Sequence, residues 1–153
     1  MSMRQTLDDF GSIVCFKALI VGVEDTLGSD GASVVFTRAG KIRGHNLVAS
    51  LGLTDSKLPL ETLAHSLDTA LGPQGTRLCR VHRAYRDGED VVIETSDTMC
   101  SAGEDPGSDR NCTFTLGAVW GALEAITGEI YLGHQSESVL RGGSSDKFVF
   151  SPL

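Results

Sequence analysis

Long apolar runs are missing from this chain. No uninterrupted stretch approaches the roughly 20 residues that a bilayer-spanning helix needs, and the opening MSMRQTLDDF lacks the basic-then-apolar order of a secretory signal. The expectation is an internal protein, cytoplasmic or peripheral to a membrane complex, with no membrane span. Cysteine is sparse and dispersed: Cys15, Cys79, Cys100 and Cys112 contain no C-x-x-C pair, which suits neither a disulfide-stapled secreted module nor a zinc ribbon. They read as reduced thiols. Catalytic signatures are missing too, with no G-x-S-x-G elbow, phosphate loop, H-E-x-x-H or G-x-G-x-x-G between strand and helix. Its carboxylates stand singly or in loops, so no pair is poised for acid–base work and an enzyme is disfavoured. Excess positive charge is lacking as well: the net charge of -7 repels phosphate backbones and argues against a nucleic-acid partner.

What remains is a globular composition. A chain of 153 residues, 41% hydrophobic and 22% charged, fits one domain spanning 1–153. Eighteen glycines against four prolines indicate many tight turns. Phe16, Leu19, Ile20, Val23 and Leu27 fall on one face of a helix that Gly28 ends. Residues 31–51 repeat the pattern less cleanly through Val35, Phe36, Ala39, Leu47 and Leu51. There Gly40 and Gly44 cost helicity unless another backbone packs closely against them. Residues 58–71 form a third helix, with Asp55 or Ser56 as its cap, Pro59 in its first turn and Gly72-Pro73 as its stop.

The pattern then changes. TRLCRVHRAYRDGEDVVIETS places Asp87-Gly88 between two strand-like runs, a strong hairpin signal. A polar loop, SAGEDPGSDRN, follows, and residues 112–128 return to helix, with Asp109 or Asn111 near its start and Gly128 at its end. Leu116, Val119, Trp120 and Leu123 keep the helical period, and Gly117 and Gly121, four apart, permit close approach of a neighbour. EIYLGHQSESVL and DKFVFSPL read as two last strands joined by RGGSS. Helices followed by antiparallel pairs predict an α+β domain with helices on one face of an antiparallel sheet.

One dense basic segment stands out: Arg77, Arg80, Arg83 and Arg86 with His82. A strand period of two separates Arg80 and His82 from Arg77 and Arg83. The segment is either a solvated face balancing nearby acids or a clamp for a ligand carboxylate, which arginine's fork suits. Trp120, the single tryptophan, is core or pocket wall. Phe16, Ile20, Val35 and Phe36 are candidates for a pocket or a dimer interface, and His45, His65 and His134 are isolated. Cys100 and Cys112 flank the polar loop and invite a disulfide or a covalent ligand bond.

The segment CTFTLGAVWGALEAITGEIYLGHQSESVLRGGSSDKFVF resembles the C-terminal half of the 4-vinyl-reductase-type, or hydrocarbon-binding, domain. Cys112 opening a helix, Gly117, Gly128, the Gly142-Gly143 turn and Phe148 or Phe150 carry the resemblance. It implies the fold of ligand-binding Golgi-transport-complex subunits, commonly dimeric, and a relation to effector-sensing domains of bacterial activators that respond to phenols. In metal-binding members thiolates and a glutamate hold zinc. Here Ser138 stands at the middle cysteine position, the last lies near Phe148, and Gln135 or Glu137 stands at or near the glutamate. One thiolate cannot complete a tetrahedral site, so no zinc is expected and Cys112 reads as a buried small residue.

The resemblance implies noncatalytic binding of a hydrophobic or aromatic small molecule between helices and sheet. Members tied to bacteriochlorophyll synthesis suggest a tetrapyrrole or chlorophyll precursor in a photosynthesis-related protein. Candidate ligand contacts are Phe16, Ile20, Val35, Phe36, Arg80, His82, Cys112 and Trp120. The alternatives are an assembly or scaffold protein acting as a homodimer or within a larger protein complex, and an accessory reductase of a vinyl group, for which no cofactor motif is present.

Overall fold

The computed structural model describes residues 11–153. A long helix α1 (Ile13–Ser50) leads into α2 (Leu60–Leu71), the hairpin β1 (Arg80–Asp87) and β2 (Asp90–Ser96), helix α3 (Thr113–Thr127), and then β3 (Tyr131–Glu137) and β4 (Asp146–Pro152). A single 3-10 turn, Val139–Arg141, lies between the last two strands. All pairings are antiparallel, in the order β1-β2-β4-β3. The architecture is the α+β arrangement expected from the sequence. No helix among the described residues is long and apolar enough to cross a membrane.

Gly28 interrupts α1 with φ 73 and ψ 168, a conformation essentially reserved for glycine, so two helical halves meet at a kink. The second half packs on α3 through four glycines. A methyl on Gly40 would fall 2.8 Å from the Ala118 nitrogen, and one on Gly44 2.6 Å from that of Ala122. From the other side, Gly117 and Gly121 face the α1 backbone at Gly40 and Lys41 just as closely. The close approach that would justify Gly40 and Gly44 in a helix is therefore present.

α3 is buried almost all round, including Leu116, Val119, Leu123 and Ile126. It lies over the inner face of the sheet, where Val91, Ile93, Phe148 and Phe150 are fully buried. α2 turns Leu63, Ala64, Leu67 and Leu71 inward. Its expected caps, Asp55 and Ser56, are displaced: Pro59 is the N-cap residue and no side chain caps the helix. Asp55 and Lys57 instead donate their backbone N–H groups to the Ala125 and Ile126 carbonyls at the end of α3. Neither Asp109 nor Asn111 caps α3, whose N-cap is Cys112. The predicted strand over 129–140 ends at Glu137, because the Ser138 hydroxyl accepts from the Leu140 N–H and starts the 3-10 turn.

Across the sheet's uncovered face a row of alternating charge joins all four strands. Arg83 on β1 pairs with Glu94 on β2, Lys147 on β4 lies 3.7 Å from Glu94, and Lys147 meets Glu137 on β3 at 2.8 Å.

Candidate ligand-binding site

The eight side chains proposed from sequence do not converge on one cavity. Ile20 and Phe36 are core residues on α1. Val35, next to Phe36 but about 100° further round the helix, is 44% exposed and points away from that core. Arg80 and His82 lie on the edge strand β1, Trp120 faces a groove on α1, and Cys112 is buried at the start of α3. Phe16 opens onto an apolar cleft of its own, separate from the groove at Trp120.

That cleft, of about 560 Å³, sits at the N-terminal end of α1. Ile13 and Phe16 from α1 and Met99 from the loop after β2 supply its apolar lining, together with Gly75, Thr76 and Arg77. Phe16 is held by an edge-on contact with Phe114, ring centroids 5.4 Å apart. A strap closes the neighbourhood: Lys17 pairs with Glu104 and donates to the Cys100 carbonyl at 2.9 Å, while Arg110 bridges Glu104 and Glu24. The polar loop is thus tied to the first half of α1 at two points.

The basic segment is occupied by the chain's own acids. Arg80 directs both nitrogens of its fork at Asp68 (2.9 and 3.1 Å), and Arg83 does the same to Glu94 (2.8 and 2.9 Å). His82 meets Ser96 at 2.7 Å. The hydrogen bonds from Arg80 and Arg83 hold the Asp68 and Glu94 carboxyls below the usual carboxylate range. A register shift between Val81 and Arg83 breaks the simple alternation, so His82 and Arg83 are both exposed.

Trp120 is half-buried at a groove of about 640 Å³ lined by Val34, Thr37, Arg38, Lys41 and Ile42. Its indole N–H donates to Glu124 at 2.8 Å, and the Lys41 ammonium lies 4.1 Å above its ring. Burial pushes the Glu124 carboxyl up, but Lys41, the Tyr131 N–H and the indole outweigh it and leave the group below its ordinary range.

Cys112 anchors a polar network. Its N–H donates to the Gln135 side-chain oxygen at 2.9 Å, and its sulfur lies 3.2 Å from the Thr98 hydroxyl. Gln135 and Thr98 both donate to the fully buried carboxylate of Asp146, at 3.2 Å each, and the Val139 N–H adds a third bond at 3.1 Å. One thiol, one amide, one hydroxyl and one carboxylate that already bind one another do not fit a zinc ion. No group of three or more His, Cys, Asp or Glu side chains among the described residues is placed to hold a metal. Thr98 and Asp146 are the members the sequence reading missed. For Asp146 a signal was available: it lies two residues before Phe148 on β4 and therefore on the same face of the sheet.

The fold defines a class of small α+β domains with helices on one face of a four-stranded antiparallel sheet. Solved structures share it, these two among them. The phenol-responsive sensory domain of the transcription activator PoxR, determined with phenol, matches over 94% of this chain and 75% of its own, with a TM-score of 0.65 and 19% identity. A trafficking protein particle complex subunit 3 from Naegleria fowleri, covalently bound to palmitic acid, matches over 92% of both chains, with a TM-score of 0.63 and 12% identity. No protein-family model matches the sequence, and no curated protein matches it.

Proposed function

We propose that this chain is a noncatalytic binding domain for a hydrophobic or aromatic small molecule, held in the cleft at the N-terminal end of α1. The observation that carries the reading is that Ile13, Phe16 and Met99 turn apolar surface into a cleft of about 560 Å³, within the range of roughly 300–1,000 Å³ common to small-molecule sites. Support comes from the fold, shared with one protein solved with phenol and another solved with palmitic acid. The test uses phenol, palmitic acid and protoporphyrin as separate probes, followed by native mass spectrometry and, for the porphyrin, its absorption band. Retention of at least one by the full chain, weakened at least tenfold in Met99→Glu, supports the assignment. Retention of none, or equal retention by the variant, refutes it.

A second reading, assembly through self-pairing, rests on α1. Val14, Leu19, Val34, Val35 and Ile42 are all between 44% and 73% exposed along this one helix. Burying such exposed apolar side chains against a second copy gives the chain a physical reason to dimerise. Light scattering at micromolar concentration tests it: a mass near twice that of the chain supports the homodimer, and a strict monomer removes it.

A further inference from the structure

Two thiols bracket the first turn of α3. Cys112 is its N-cap residue and Cys100 lies 3.8 Å, sulfur to hydroxyl, from Thr115 in that turn; their residues are 1% and 2% exposed. Cys112 and Thr115 stand three residues apart on one face of that turn, so the Cys100 sulfur beside the Thr115 hydroxyl lies alongside the Cys112 side chain. Cys100 thus occupies the place at a helix start where orphan N–H groups favour a thiolate, with a second thiol as its neighbour. From this geometry we infer that Cys100 and Cys112 form an oxidisable dithiol, in which Cys100 is the attacking sulfur, Cys112 the resolving one, and a peroxide the oxidant.

The surroundings divide the two roles. Donation from Cys112 pulls the Cys100 thiol below its ordinary range, and the same bond, with burial, pushes Cys112 up. Cys79, by contrast, is an inert core thiol that burial pushes up to about 12. In the first step the Cys100 thiolate attacks one peroxide oxygen. An S–O bond forms, the O–O bond breaks, and the departing hydroxide takes a proton and leaves as water. Cys100 is then a sulfenic acid, oxidised by two electrons. In the second step Cys112 gives up its proton and its sulfur attacks that of Cys100. The S–S bond forms, the S–O bond breaks, and a second water leaves. Two thiols and one peroxide become one disulfide and two waters.

Access is short. Met99, next to Cys100, lines the cleft beside Phe16, and the loop that would be closed into a ring, residues 101–111, is the strap that Glu104 and Arg110 fasten to α1. Oxidation would therefore fix the two ends of that strap to each other at the start of α3.

The experiment treats the reduced full-length chain with hydrogen peroxide, alkylates the remaining thiols and measures intact and peptide masses without reductant. The expected result is an intrachain loss of two hydrogen atoms, with residues 100 and 112 cross-linked, Cys15 and Cys79 alkylated, and full reversal by dithiothreitol. In Cys112→Ser the disulfide is lost and a sulfenic acid at Cys100 is trapped by dimedone. Peptide mapping of the unmodified chain decides the matter even if that variant does not fold. An unchanged mass, a cross-link through Cys79 or Cys15, or oxidation of all four thiols at equal rates would overturn the inference.

Discussion

Replacing Gly121 by alanine sets two effects of known sign against each other. Alanine favours a helix over glycine by about 1 kcal/mol, so on an exposed face the change stabilises. On this face it meets α1. A methyl at Gly121 lies 2.8 Å from the Lys41 Cα and 2.9 Å from its carbonyl carbon, with the carbonyl oxygen nearer still. These are helix backbone atoms, which cannot rotate aside as a side-chain tip can. Ordinary contact between carbon atoms begins at about 3.5 Å, so the helices must part by most of an ångström. A gap of that size forfeits roughly a quarter to a half of each dispersion contact along the seam, and overpacking of this kind costs about 1–3 kcal/mol, occasionally more. The expected net loss is about 2 kcal/mol, which lowers the melting midpoint of a chain this size by roughly 4–8 °C. Gly22→Ala is the matched control: it lies in the same α1, with nothing within 4 Å of its would-be methyl. It should raise the midpoint by a few degrees or leave it unchanged. Thermal melts followed by circular dichroism read both variants. If Gly121→Ala melts at or above the parent, the close seam between α1 and α3 is refuted.

Other tests address the buried network and the charges. Asp146→Ala leaves the Thr98 hydroxyl, the Gln135 amide and the Val139 N–H without their acceptor. The Gln135 amide keeps the Glu137 carbonyl and the Thr98 hydroxyl can turn to Ser101, so at about 1–3 kcal/mol for an unsatisfied group urea unfolding should show a loss of about 1–3 kcal/mol, and no measurable loss would mean the network is dispensable. Arg80, Arg83 and Lys147 depress the folded-state carboxyls of Asp68, Glu94 and Glu137. A depressed folded pKa adds stability above the unfolded carboxylate pKa of about 4 and loses it as pH falls. Urea midpoints should therefore fall steadily as pH is lowered from about 5 to 3, whereas a rising midpoint would reverse the assignment. Elemental analysis of the purified chain should find zinc well below one ion per molecule; one tightly held ion would require a ligand set other than Cys112, Gln135, Ser138 and Asp146.

Local signals were legible wherever one residue type had one physical use. Gly28 marked a helix break because its conformation there excludes a side chain. Asp87-Gly88 marked the hairpin, with Gly88 at φ 63. The four glycines of α1 and α3 could be suspected of close approach, but only the fold shows that they face one another. The ligand contacts were less legible because apolar spacing records that a face is covered and not what covers it. Ile20, Val35 and Phe36 share such spacing, yet two lie in the core and one lies at the surface. Arg80 and Arg83 looked available in a list of residues; Asp68, twelve positions before Arg80, and Glu94, across a hairpin from Arg83, reach them only after folding. Asp146 escaped notice for the same reason, since its partners Thr98, Gln135 and Val139 come from three separate segments.

The kink at Gly28 also divides α1 thermodynamically. Beyond it, Ala32, Phe36, Gly40, Gly44, Leu47 and Val48 are buried, whereas Ile20 is the buried residue of the stretch before it. Since local opening free energy follows buried contact, residues 13–27 form a weakly held unit on a strongly held one. Their amides should exchange with solvent through excursions that leave the glycine seam intact. Because Gly28 carries the change of direction, such an excursion need not bend the rest of the helix. Phe16, Lys17 and Glu24 would swing out together, uncovering Met99 and Cys100 from the same side. Both the wall of the cleft and the thiol beside it are thereby tied to one motion, which must break the Lys17–Glu104 and Glu24–Arg110 pairs while the core on α3 remains closed.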